Sequence, residues 1–102
     1  MGFFDLFKRK DMSNEIKEYL DKGAVVLDVR TQGEWDSGHS QGAQHIVLNL
    51  VPVNIDEIKS WNKPVIAVCL SGGRSGQATQ YLKSNGVDVI NGGPWQNVDQ
   101  YL

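Results

Sequence analysis

A thiol, a guanidinium and two hydroxyls fall within one short stretch, Cys69-Leu70-Ser71-Gly72-Gly73-Arg74-Ser75. Cys69 is the only cysteine in the chain. Its thiolate is the nucleophilic form, and anion-binding surroundings favour that form. The residues that follow supply such surroundings. Gly72 and Gly73 accept positive φ and let the backbone come close to a ligand. A tight turn here can aim several N–H groups into one concavity suited to an anion. A helix after Ser75 adds unpaired N–H groups and the positive end of its dipole. Arg74 adds a full charge on a planar donor fork. Most free cysteines are small buried hydrophobes. The Gly-Gly-Arg-Ser behind this one shifts the reading toward chemistry.

The flanking elements must hold that turn in place. Val65-Ile66-Ala67-Val68, opened by Pro64, reads as a buried strand running into Cys69. Residues 76–85 read as a helix, with Ala78, Tyr81 and Leu82 at helical spacing. The cysteine therefore lies where a strand turns into a helix, at the carboxyl edge of a sheet, where ligands of α/β proteins bind.

This loop resembles the active-site loop of the rhodanese family, Cys-x-x-Gly-x-Arg-Ser. Upstream, Asp28-Val29-Arg30, Glu34-Trp35, Gly38-His39 and Gly42-Ala43 are similar to that family's other signature, and Trp95 follows Gly-Gly as it often does there. The likeness runs from about Val25 to Trp95. It implies a rhodanese-like α/β fold: a three-layer sandwich with a central parallel sheet of four to five strands and helices on both faces. It implies sulfur transfer through a Cys69 persulfide, with Leu70, Ser71, Gly72, Gly73, Arg74 and Ser75 as the persulfide- and anion-binding loop. It places Asp28, Arg30, Glu34 and His39 in a supporting polar network rather than in the chemistry. No cofactor or metal is implied. The partners implied are a small-molecule sulfur donor, thiosulfate or a persulfide, and a thiol or cyanide acceptor, with a protein acceptor as a further option. Two departures from the family pattern stand out. Ser40-Gln41 replace an apolar residue and a proline, and Val47 replaces a proline, so the path of residues 40–50 is not set by the likeness.

Read in order, the chain alternates helix and strand, which implies parallel pairing and right-handed crossovers. Ser13 is a candidate N-cap for a helix with Met12, Ile16, Tyr19 and Leu20 on one face, ended by Gly23. Residues 24–29 read as a strand, 31–37 as a short helix and 43–48 as another strand. Asn54 and Glu57 form a candidate capping box for a helix to about Trp61. Residues 87–90 read as the last strand, Gly92-Gly93-Pro94 as a turn and residues 95–102 as a terminal helix. Residues 1–10 stand apart as an extension, and residues 11–102 form the domain. Phe3, Phe4 and Phe7 ahead of Lys8-Arg9-Lys10 suit either a short interfacial membrane anchor or, the reading preferred here, a cap on the domain's own core.

The chain carries a net charge of −2, with 40% hydrophobic and 22% charged residues. Nothing there advertises nucleic-acid binding. One cysteine excludes an intramolecular disulfide. With His39 and His45 it makes a poor zinc set, since no Cys-x-x-Cys spacing exists. No export signal is readable, so a soluble cytoplasmic monomer is expected. His39 as a base for Cys69 is a weaker reading than His39 as scaffold, and His45 has no chemical context. Trp35, Trp61 and Trp95 read as core. Two alternatives to the sulfurtransferase stay open. One is a non-enzymatic sulfur carrier, sensor or protein-binding module on the same scaffold. The other, weaker, is a cysteine phosphatase, whose loop has five residues between cysteine and arginine where this one has four, Leu70 to Gly73.

Overall fold

The structure is a computed structural model that describes residues 12–102. The readings of residues 1–10 as an extension, an anchor or a core cap lie outside the described residues. The elements are α1 (Met12–Asp21), β1 (Val25–Asp28), α2 (Gln32–Asp36), β2 (Gln44–His45), α3 (Ile55–Ser60), β3 (Val65–Cys69), α4 (Gly73–Ser84), β4 (Val89–Pro94) and α5 (Gln96–Asp99). Among the described residues the sheet has four strands in the order β2-β1-β3-β4, all parallel.

The strand sequences explain why the sheet is buried on both sides. β3 is Val-Ile-Ala-Val-Cys, and every residue of it is buried. A parallel strand covered on both faces needs a continuous apolar run. Alternate residues sort to opposite faces. Val65, Ala67 and Cys69 pack with Leu27, Val29, Val51, Ile58, Ala78 and Leu82 on the side of α3 and α4. Ile66 and Val68 pack with Ile16, Val26, Ile90 and Val98 on the side of α1 and α5. These are the two helical layers of the expected sandwich.

Several local expectations are corrected. Ser13 lies inside α1, which starts at Met12. β2 ends at His45 rather than continuing to residue 48, and two 3-10 turns, Leu48–Leu50 and Pro52–Asn54, follow it. As an edge strand β2 has one neighbour. The chain then turns off to bury Val51 in the core beside α4. The Asn54–Glu57 capping box does not form. Asn54 makes no capping hydrogen bond, and its amide donates to the Leu50 carbonyl at 2.9 Å. A capping box is built instead at Thr31 and Glu34, at the start of α2. Residues 92–94 are not a free turn but the end of β4. Its register skips one residue, with Ala67 opposite Asn91 and Val68 opposite Gly93. Gly92 is the extra residue of this bulge. It must be glycine, because a Cβ there would lie 2.7 Å from Ile66 Cγ2 and 3.0 Å from Val68 Cγ1.

Candidate active site

β3 ends in Cys69, and the chain turns through Leu70, Ser71 and Gly72 into α4, which starts at Gly73 rather than Gly76. Arg74 and Ser75 therefore sit in the helix's first turn, where N–H groups have no partner within the helix. Gly72 caps the helix in the left-handed region, φ 106° and ψ −12°, a conformation that L side chains rarely adopt. That conformation turns its N–H onto Cys69 Sγ at 3.0 Å. The Ser75 N–H donates to the same sulfur at 3.3 Å, and Ser75 Oγ lies 3.3 Å from it. Cys69 itself is 0% exposed. Leu70, at the rim, is exposed.

Burial pushes the Cys69 thiol up. Hydrogen bonding at Ser75 and from the Gly72 and Ser71 N–H groups outweighs burial and leaves the thiol below its ordinary value. This is the direction a nucleophile needs.

The four supporting residues come together, in a different pattern for each. Arg30 and Asp28 form a buried two-point ion pair, with Nη2–Oδ2 at 2.7 Å and Nε–Oδ1 at 2.9 Å. Arg30 also donates to the Glu34 and Gly38 carbonyls at 3.2 and 2.8 Å, and its guanidinium lies 5.1 Å over the Trp95 ring. It is thus a strut that fixes three segments, and each of its three side-chain nitrogens donates to protein. Glu34 reaches the loop directly through Arg74, at 2.7 and 3.0 Å. His39 Nδ1–H donates to the Trp35 carbonyl, 2.8 Å away, and the imidazole stacks on the Trp35 ring. His45 stacks on the same indole and bonds the Arg30 carbonyl. Neither histidine bonds Cys69, so no Cys–His dyad is formed among the described residues. Trp61 and Trp95 pack against the core. No three metal-ligating side chains cluster among the described residues.

Asn91 completes the site, and nothing near it in sequence marks it. Its Oδ1 accepts from Ser75 Oγ at 2.6 Å and from the Gly93 N–H at 2.9 Å, while its Nδ2 donates to the Gly72 carbonyl at 3.1 Å. A groove of ≈ 350 Å³ lined by Lys59, Lys63, Val87 and Asp88 opens at the opposite edge of the sheet, away from this chemistry. No helix among the described residues is long and apolar enough to cross a membrane.

The site is a lone thiol at the carboxyl edge of a parallel sheet in an α/β fold, held by loop and helix N–H groups. The rhodanese-like domain family matches residues 12–94, and the chain belongs to that family. It is 38% identical over 70 residues to the thiosulfate sulfurtransferase GlpE of Pseudomonas fluorescens (strain SBW25), covering 69% of this chain and 63% of that protein. It is 40% identical over 67 residues to an uncharacterised protein, YqhL, of Bacillus subtilis (strain 168), covering 66% of this chain and 52% of that one. The chain thus spans less than two thirds of these relatives' length. The crystal structure of SSP1007 from Staphylococcus saprophyticus subsp. saprophyticus superposes with a TM-score of 0.70 at 34% identity, covering 84% of this chain and 88% of that one. Family membership supports a sulfurtransferase-type protein, and the same domain also occurs in non-catalytic modules.

Proposed function

We propose that the protein is a cytoplasmic sulfurtransferase that carries a sulfane sulfur on Cys69. The observation behind this reading is the pair of N–H groups, from Gly72 and Ser75, that converge on Cys69 Sγ. The thiolate attacks the outer sulfur of thiosulfate or of a persulfide. The donor's S–S bond breaks, sulfite or a thiolate leaves with the electron pair, and Cys69 becomes a persulfide. The loop N–H groups then face the anionic outer sulfur as an oxyanion hole faces its oxygen. A thiol or cyanide acceptor attacks that outer sulfur, and the Cys69 thiolate is released. No cofactor enters this cycle. The acceptor is a small nucleophile or a cysteine of a protein partner, and nucleic acid has no part.

A second reading draws on the covered sulfur. With Cys69 0% exposed, the scaffold suits a carrier or sensor module whose loop a partner must open. Four residues between Cys69 and Arg74 make a smaller cradle than a phosphatase uses, so phosphate chemistry is not favoured.

Intact-mass measurement after incubation with thiosulfate, and separately with a persulfide donor, tests the proposal. One added sulfur is expected, removable by cyanide or a reducing thiol, and absent in Cys69→Ser. If the wild type gains no mass with any donor, or Cys69→Ser still transfers, the chain is a binding module on this scaffold.

A further inference from the structure

The bulge in β4 brings Asn91 to the back of the cysteine loop. Its orientation there is fixed by backbone groups that have no choice of role. The Gly93 N–H can only donate, so the atom facing it is Oδ1. The Gly72 carbonyl can only accept, so the atom facing it is Nδ2. Oδ1 therefore also faces Ser75 Oγ, at 2.6 Å. A serine hydroxyl has one proton, and Oδ1 has none to share. The Ser75 proton must lie on the Asn91 side to make this bond. Ser75 Oγ then presents only lone pairs to Cys69 Sγ, 3.3 Å away.

We propose that Asn91 is a positioning residue that holds the Ser75 hydroxyl in the role of acceptor toward Cys69 and so restrains the cysteine as a thiol. This rests on the reading of Cys69 as a thiolate nucleophile. In the thiol, the chain S–H to Oγ–H to Oδ1 is complete. In the thiolate, Ser75 can donate to sulfur only by leaving Asn91, and two oxygens then face each other at 2.6 Å with no hydrogen between them. The Gly72 and Ser75 N–H groups serve the thiolate in either case. The ion pairs at this end of the sheet are Arg74 with Glu34, from α4 and α2, and Arg30 with Asp28, at the end of β1, and Arg74 interacts electrostatically with Cys69. None of them bonds to Asn91, and β4 (Val89–Pro94) carries no titratable side chain. His39 and His45 stack on Trp35.

The test is the pH dependence of Cys69 alkylation by iodoacetamide, with no sulfur donor present. The midpoint is the readout, because a change in access alters the rate at every pH alike. Asn91→Leu keeps the volume and removes the acceptor. It should lower the midpoint by about one pH unit, giving roughly tenfold faster alkylation on the acid side. Asn91→Asp keeps the shape and strengthens the acceptor, so its midpoint should rise. In a Ser75→Ala background, Asn91→Leu should leave the midpoint where Ser75→Ala alone puts it. A midpoint that is unmoved or raised in Asn91→Leu overturns the proposal. So does an equal shift with and without Ser75, which would make Asn91 a mere loop brace. Failure of the wild type to take up sulfur would sink the sulfurtransferase reading and leave this result standing.

Discussion

Arg74 and Glu34 meet as a two-point ion pair, Nη1–Oε1 at 2.7 Å and Nη2–Oε2 at 3.0 Å, across forty residues of sequence. The pair ties the first turn of α4 to α2. It also occupies both terminal nitrogens of the single cation in the cysteine loop. A guanidinium so held acts first on the shape of the loop. Arg74→Ala should therefore weaken sulfur uptake from thiosulfate and from a low-charge persulfide alike, by roughly ten- to a hundredfold through misplacement of the cradle. Paired kinetics with the two donors check this. A loss confined to thiosulfate would mean that Arg74 leaves Glu34 to bind the anion.

The same pair makes the loop sensitive to acid. The Arg74 guanidinium, helped by the Thr31 N–H, lowers the Glu34 carboxyl from an ordinary 4.5 to about 2. In the unfolded chain it returns to its ordinary value. A carboxylate whose folded value is depressed stabilises the fold fully above the unfolded value and loses that contribution as pH falls toward the folded one. The window here is pH 4.5 down to about 2. Glu34→Gln should flatten the stability profile between those limits and change its slope little at neutral pH. Urea midpoints measured along the pH series decide it, and an unchanged acid slope in Glu34→Gln would assign the acid sensitivity to other carboxylates.

Gly72 carries a different kind of constraint. A Cβ at this position would lie 3.5 Å from Gly93 Cα, ordinary contact, so space is not the obstacle. The obstacle is φ 106°, which costs a residue with a side chain about 1–2 kcal/mol. Gly72→Ala should lose stability by about that amount, or relax and withdraw its N–H from Cys69 Sγ. Either way the alkylation midpoint of Cys69 should not fall, and with relaxation it should rise. A normal midpoint together with wild-type stability would show that the loop has another accessible shape.

The legible part of this site is the part written in adjacent residues. Cys69 through Ser75 announce a strand end and an anion-binding turn by residue type alone, and the two faces of β3 follow from alternation. α4 starts three residues before its apolar periodicity does, because Gly73, Arg74 and Ser75 look like loop until Gly72 caps the helix. Thr31 and Glu34 carry a readable capping-box signal, at the same spacing as Asn54 and Glu57. Asn91 carried none. Its place depends on a one-residue bulge against Ala67 and Val68, and local propensity does not encode the register of a parallel pair. The Arg74–Glu34 bond was illegible for the same reason, since two long side chains meet only after the crossovers are made.

Ser40 stands where the resemblance to the family leads one to expect an apolar residue. The structure shows what that does. Ser40 is 1% exposed, and its hydroxyl has no hydrogen-bond partner among the described residues. Its carbonyl still accepts from the Ala43 N–H at 3.2 Å, so the turn does not depend on the side chain. A buried hydroxyl without a partner keeps its desolvation cost, about 1–3 kcal/mol. Ser40→Ala removes the hydroxyl and adds no volume. It should raise stability by about 1 kcal/mol, which for a domain of this size lifts Tm by roughly 4–8 °C. The urea midpoint should rise with an unchanged m value, and sulfur loading of Cys69 should be unaffected. A less stable Ser40→Ala would mean that the hydroxyl is hydrogen-bonded in solution and that the serine is there to hold the loop between α2 and β2.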